Sequence, residues 1–259
     1  YSKLVSLTPS LTETIFALGA GSRVVGVCQA DDFPVCVKQL PVVSDSQVNW
    51  EKLLSLKPDC VVVDTQLSPS LSPQLDKLGL NWVGFHSQSL SGYCQTLERL
   101  SQLLEVQANG RALLEDFERV KSACLANSKK FARRPSVAIE ISKEPLMFAG
   151  PGSYVEELLH LAGGRNACVA AKESYIALNL EQLLHFDPDI IILTDASKQE
   201  VLAKPGWQVL RAVQMSNIYQ MEESILVRPT PRLLQGLAQL QKILVAVANP
   251  NASKAGPLE

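Results

Sequence analysis

Asn49-Trp50-Glu51-Lys52-Leu53-Leu54-Ser55-Leu56-Lys57-Pro58-Asp59, followed by Cys60-Val61-Val62-Val63, returns later in the chain as Asn179-Leu180-Glu181-Gln182-Leu183-Leu184-His185-Phe186-Asp187-Pro188-Asp189, followed by Ile190-Ile191-Ile192-Leu193. Each copy reads as a short helix, a Pro-Asp stop and a buried strand. A fainter echo pairs residues 13–23, a helix ending in Gly-Ala-Gly, with residues 156–165, a helix ending in Ala-Gly-Gly. Repetition of one unit in the same order implies two similar lobes.

Around these copies, short β-branched runs alternate with helical patterns, the signature of α/β units around mostly parallel sheets. The strands expected are residues 3–7, 24–27, 60–64, 82–85, 136–141, 190–194 and 218–220. Ser10-Leu11-Thr12-Glu13 has the S-x-x-E form of a capping box, and the helix it opens runs to Gly19-Ala20-Gly21, where glycine suits a C-terminal cap. Those glycines end a helix. A dinucleotide fingerprint needs them after a strand and opening one. Residues 111–134 carry Leu113, Phe117, Val120 and Cys124 at helical spacing and meet no proline until Pro135; at 1.5 Å per residue they span about 35 Å, enough for a strut across both lobes. The expected organisation is an N-terminal lobe over 1–108, a connecting helix over 109–134, a C-terminal lobe over 135–248 and a disordered tail over 249–259. Thr230 as N-cap and Pro231 at the first helical position open a last helix running to Val247.

The 259 residues are 46% hydrophobic, enough for a sizeable core. Lys and Arg (24) do not exceed Asp and Glu (26), so the chain lacks the basic face that nucleic acid requires. No apolar run approaches the ~20 residues of a spanning helix, and no signal peptide precedes the first strand, as in a mature chain. The six cysteines show no C-x-x-C spacing; Cys28 and Cys36 are near enough in sequence to bridge one loop, and a free thiol at either is the alternative. Three scattered histidines do not suggest metal capture. There is no G-x-S-x-G elbow, P-loop or H-E-x-x-H, and Gly150-Pro151-Gly152-Ser153 reads as a strand-to-helix turn, so an enzyme is not expected. In open α/β sheets ligands sit beyond the carboxyl ends of the strands. That rule selects residues 8–10, 29–32, 44–47, 64–66 and His86 in the first lobe, and 147–150, Tyr175, Asp195 and 221–224 in the second.

The sequence resembles the helical-backbone class of periplasmic binding proteins, those serving cobalamin, haem and ferric-siderophore importers. The likeness runs from Leu4 to about Val247. It is carried by Val5-Ser6-Leu7-Thr8-Pro9-Ser10-Leu11-Thr12-Glu13, Leu18-Gly19-Ala20-Gly21, Val24-Val25-Gly26-Val27, Asp32-Phe33-Pro34, Leu40-Pro41-Val42-Val43, both repeats, Ala162-Gly163-Gly164 and Arg228-Pro229-Thr230-Pro231-Arg232. The resemblance implies two α/β lobes joined by one long helix, a ligand cleft between them, no catalysis, no intrinsic cofactor or metal, a monomer, and an extracytoplasmic place, with a lipid anchor on a removed N-terminal segment left open. It implies an ABC permease as partner, met through one glutamate per lobe, here Glu51 and Glu181. The ligand expected is a metal chelate: cobalamin or another corrinoid first, a ferric siderophore or haem second, with a permease-free sensor as the alternative of another class. Cobalamin-binding members line the first lobe with aromatics at positions that fall here near Ala30, Ser46 and Asp64, while Tyr175 falls on an aromatic position of the second. No tyrosine lies between Ala30 and Gln47, where haem binders carry their axial ligand. Ligand contacts are expected from Asp32, Ser46, Asp64, His86, Met147, Phe148, Tyr175, Glu223 and Arg228.

Overall fold

A computed structural model of the chain describes residues 1–87, 89–169 and 173–248; the expected tail over 249–259 lies outside the described residues. The chain divides into two compact units, Tyr1–Asp116 with Pro229–Pro231, and Phe117–Arg228 with Arg232 onward.

The first unit contains β1 (Leu4–Ser6), α1 (Pro9–Ala17), β2 (Val24–Cys28), β3 (Val42–Ser44), α2 (Trp50–Ser55), β4 (Cys60–Asp64), α3 (Leu71–Lys77), β5 (Trp82–Phe85), α4 (Leu90–Leu103) and the start of α5 (Gln107–Ser128). Its sheet is wholly parallel in the order β3-β2-β1-β4-β5. Every residue of β4 is buried, as a continuous apolar run demands when helices cover both faces. Val5, Val43, Val61 and Val63 pack with Leu53 of α2 and Leu75 of α3 on one of those faces.

The second unit holds β6 (Ser136–Lys143), β7 (Leu146–Ala149), α6 (Tyr154–Ala162), β8 (Arg165–Asn166), β9 (Tyr175–Ala177), α7 (Leu180–Phe186), β10 (Ile190–Leu193), α8 (Lys198–Ala203), α9 (Arg211–Gln214), β11 (Ile218–Gln220), α10 (Glu223–Leu226) and α11 (Leu233–Ala248). Here the sheet is mixed. β11, β10, β6 and β8 pair in parallel, while β6-β7 and β7-β9 are antiparallel.

The repeat has a shared physical content. Asn49 and Asn179 cap α2 and α7, accepting from Lys52 N at 2.9 Å and Gln182 N at 2.8 Å, a contact worth about 1 kcal/mol. Lys57 and Asp187 take the same left-handed turn, φ 49° and 39°, immediately before the proline that disfavours a further helical residue. Asp59 and Asp189 then tie the neighbouring strand down. Asp59 accepts from Ser2 N at 2.7 Å and Lys3 N at 3.1 Å, and Asp189 from Ser136 N at 2.8 Å.

Several expectations are corrected. α1 starts at Pro9 with Thr8 as its cap residue and no side-chain cap; Ser10 and Glu13 lie buried inside the helix, so they form no capping box, because proline at the first position already sets the entry. Its glycine end is as expected, with Gly19 at φ 78°. The connecting helix starts at Gln107 and stops at Ser128 rather than at Arg134. Beyond it Arg133 is drawn onto Asp189 at 2.8 and 3.1 Å, which turns the chain into β6. α11 begins at Leu233, after a turn through Pro231 and Arg232. Cys28 and Cys36 do not bridge and are free thiols.

Candidate functional site

The strand order of the first unit reverses between β1 and β4, the place where open α/β sheets accept ligands beyond their carboxyl ends. A concavity of about 410 Å³ lies there, walled by Leu7 after β1, residues 28–30 at the end of β2, 44–48 at the end of β3 and 67–71 after β4. Hydrogen bonds hold these loops in place. Thr8 Oγ1 accepts from Asp64 N at 3.1 Å, linking the ends of β1 and β4. The Asp64 carboxylate, 1% exposed, accepts from Gln66 N at 2.9 Å and Leu67 N at 3.2 Å, and so folds the wall that follows. Asp31 Oδ2 accepts from Cys28 N at 2.8 Å. Burial raises the Asp31 carboxyl, while hydrogen bonds from Cys28 and Thr12 oppose that rise. Burial, then the charge of Asp31, pushes the Cys28 thiol up to about 12, so it stays protonated and is no thiolate ligand.

Of the residues expected in this unit, Ser46 lines the concavity and Asp64 shapes it from within. Asp32 is exposed in the loop after β2. His86, after β5, is exposed and hydrogen-bonded to Thr65 Oγ1. Neither lines the hollow. The wall at 67–71 was outside the sequence expectation, although Ser68-Pro69-Ser70 directly after a buried strand is the kind of loop signal that locates it.

In the second unit, residues 147–149 and Tyr175 are strand, not loop. Met147 pairs with Ala177, Phe148 with Ile176 and Ala149 with Tyr175. Side chains alternate along a strand, so Met147 and Tyr175 share one face, both half-buried, while Phe148 turns to the other and is 0% exposed in the core with Ala138 and Leu183. Phe148 is therefore a packing residue and no ligand contact. Burial raises the Tyr175 phenol. Glu223 is exposed at the start of α10, and Arg228 is half-buried beyond it. Glu140, outside the sequence expectation, is 0% exposed. Its Oε2 accepts from Thr194 N at 2.9 Å, Asp195 N at 3.1 Å and Ala196 N at 3.4 Å, winding the loop after β10 around itself. A lone acid within Val137-Ala138-Ile139-Glu140-Ile141 was the available signal.

Glu51 and Glu181 occupy the second position of α2 and α7, equivalent places in the two copies, and both are exposed. Among the described residues no three or more His, Cys, Asp or Glu side chains gather as a metal site, and no helix is long and apolar enough to cross a membrane.

The family model described as periplasmic binding protein matches residues 4–225. The chain belongs to the periplasmic binding protein family. A substrate-binding lipoprotein of an ABC transporter from Bacillus subtilis, itself uncharacterized, is 30% identical over 246 residues, covering 92% of this chain and 78% of the relative. A vitamin B12-binding protein of Vibrio cholerae is 27% identical over 241 residues, 92% of this chain and 87% of that one. The solved periplasmic haem-binding protein of Roseiflexus superposes with a TM-score of 0.84 at 26% identity, over 95% of this chain and 99% of the other. These findings bear out the resemblance read from the sequence. As a periplasmic binding protein the chain is a substrate-binding component of an ABC transporter, in a family of binding proteins rather than enzymes. The family fold accounts for the parallel sheet of the first unit and the mixed sheet of the second.

Proposed function

We propose that this periplasmic binding protein takes up a corrinoid outside the cytoplasm and hands it to an ABC permease, docking through Glu51 and Glu181. The observation that carries the ligand is the likeness, over nearly the whole chain, to a vitamin B12-binding protein. The strand-end hollow of the first unit is compatible with it: a rim of amides, hydroxyls and aliphatic side chains suits the edge of a large, amide-bearing macrocycle. Tyr175 and Met147, diagonal to each other on one face of β7-β9, supply an aromatic and a thioether surface in the second unit. The two glutamates support docking because each is exposed on a short helix at the same place in its repeat, where complementing a helix dipole accounts for only about 0.3–1 kcal/mol.

Haem is the second reading, favoured by the likeness to a solved haem-binding protein and by the exposed His86 imidazole, a competent axial ligand. Titration of the purified chain with cyanocobalamin, haemin and a ferric-siderophore panel, followed by absorption and intrinsic fluorescence, separates the readings. Saturable submicromolar binding of the corrinoid is expected. A haem spectrum lost in His86→Ala, with no corrinoid response, would replace it by haem.

A further inference from the structure

The hollow over the ends of β1 to β4 has an uneven chemical make-up. Gln29, Gln47, Ser44, Ser46, Ser68 and Ser70 give it amide and hydroxyl groups, set between aliphatic walls. Asp45 is its one carboxylate, and among the described residues no lysine, arginine or histidine lines it. Further acids stand around it. Asp31, in the loop after β2, and Asp64, the last residue of β4, lie buried next to the segments that wall it, each with one oxygen lacking a partner among the described residues, and Asp32 follows in the loop of Ala30. An amide or hydroxyl entering here finds donors and acceptors of both kinds. A carboxylate finds no cation there and meets the like charge of Asp45; at about 5 Å in water such an encounter weakens binding roughly three- to tenfold.

The geometry points to a ligand whose rim, where it meets the first unit, bears neutral amides or hydroxyls, with Asp45 as the specificity residue that turns carboxylate-rimmed ligands away. The inference rests on the corrinoid reading and narrows it to amidated corrinoids. Asp45 sits in an exposed loop, its backbone N–H donating to Gln47 O at 3.1 Å, so replacing its side chain leaves the core intact.

The test compares two dicyano corrinoids on the full chain: cobinamide, with its amide rim, and cobyrinic acid, with carboxylates in place of those amides. Wild type, Asp45→Asn and Asp45→Lys are titrated by tryptophan fluorescence and calorimetry, with thermal melts as the check on folding. Cobyrinic acid is expected to bind at least about tenfold more weakly than cobinamide to the wild type. The gap narrows about threefold or more in Asp45→Asn, further in Asp45→Lys, and also at about 0.5 M salt, where exposed charges are screened. Equal binding of the two corrinoids, or a ratio that neither substitution moves, would overturn the selectivity while leaving the corrinoid reading in place. Failure of both corrinoids to bind wild type overturns the corrinoid reading itself, and the selectivity with it.

Discussion

Asp189 concentrates several tasks in one side chain. Its two oxygens take both nitrogens of Arg133 at 2.8 and 3.1 Å, Arg211 at 3.2 Å and the backbone of Ser136 at 2.8 Å. Burial alone would raise its carboxyl; the hydrogen bonds from Arg133 and Ser136, the charge of Arg133 and the bond from Arg211 together outweigh burial and lower it. A folded-state value below the unfolded one means that the contribution to stability is complete above the ordinary 3.8 and is lost as pH falls through the lower folded value. Asp189→Ala, which strands the Ser136 N–H and takes the carboxylate from Arg133 while Arg211 keeps Asp187 at 3.2 Å, is expected to cost about 2 kcal/mol at neutral pH. Urea unfolding should show the deficit shrinking as pH falls below 3.8 and through the lower folded-state value, where the wild-type carboxylate protonates; a deficit constant across that range would remove the charge from the explanation. Sequence showed Asp59 and Asp189 as matching letters of a repeat. That the second had recruited Arg133 and Arg211 was not legible, because those residues approach from distant stretches of chain.

At the scale of elements, α4 and α5 cross with little room. A Cβ on Gly110 would stand 2.5 Å from the Cβ of Ser101, so glycine in α5 serves close helix approach, and its helix-weakening tendency is the lesser effect. Gly110→Ala is expected to destabilise by about 1–3 kcal/mol, the range for overpacking, despite alanine's better helix propensity. Chemical denaturation decides between the two effects: a stabilised variant would mean that the helices part freely. The periodicity of α5 was readable in its apolar positions, and its ends were not. Beyond its C-terminal end Arg133 is held by Asp189, a contact from another element. β7 and β9 escaped the sequence reading for a related reason. Short antiparallel strands flanked by polar residues carry little pattern of their own, and which of Met147 and Phe148 faces the core is fixed only by register against β6 and β9.

For the whole molecule, function requires that one surface serve the permease and another the ligand. Glu51 and Glu181 lie at the amino ends of α2 and α7, and Glu51 is not among the residues that wall the hollow of its unit. Charge reversal at both, Glu51→Arg with Glu181→Arg, is expected to leave ligand affinity within about twofold and ligand-induced stabilisation intact, while abolishing stimulation of transport in reconstituted vesicles. Loss of ligand affinity in the double variant would reassign the two residues. The sequence by itself determined that there are two α/β units, where most of the parallel strands lie, and that a short helix with a Pro-Asp end recurs, because those features follow from local propensity and from a pattern written twice. Only the tertiary structure decided that Phe148 is core, that Glu140 organises the loop after β10, and that Asp45 joins four serines and two glutamines in one hollow that no cationic side chain lines among the described residues. Those facts depend on strand register and on loops meeting from separate strands, and the energies that select them are long-range.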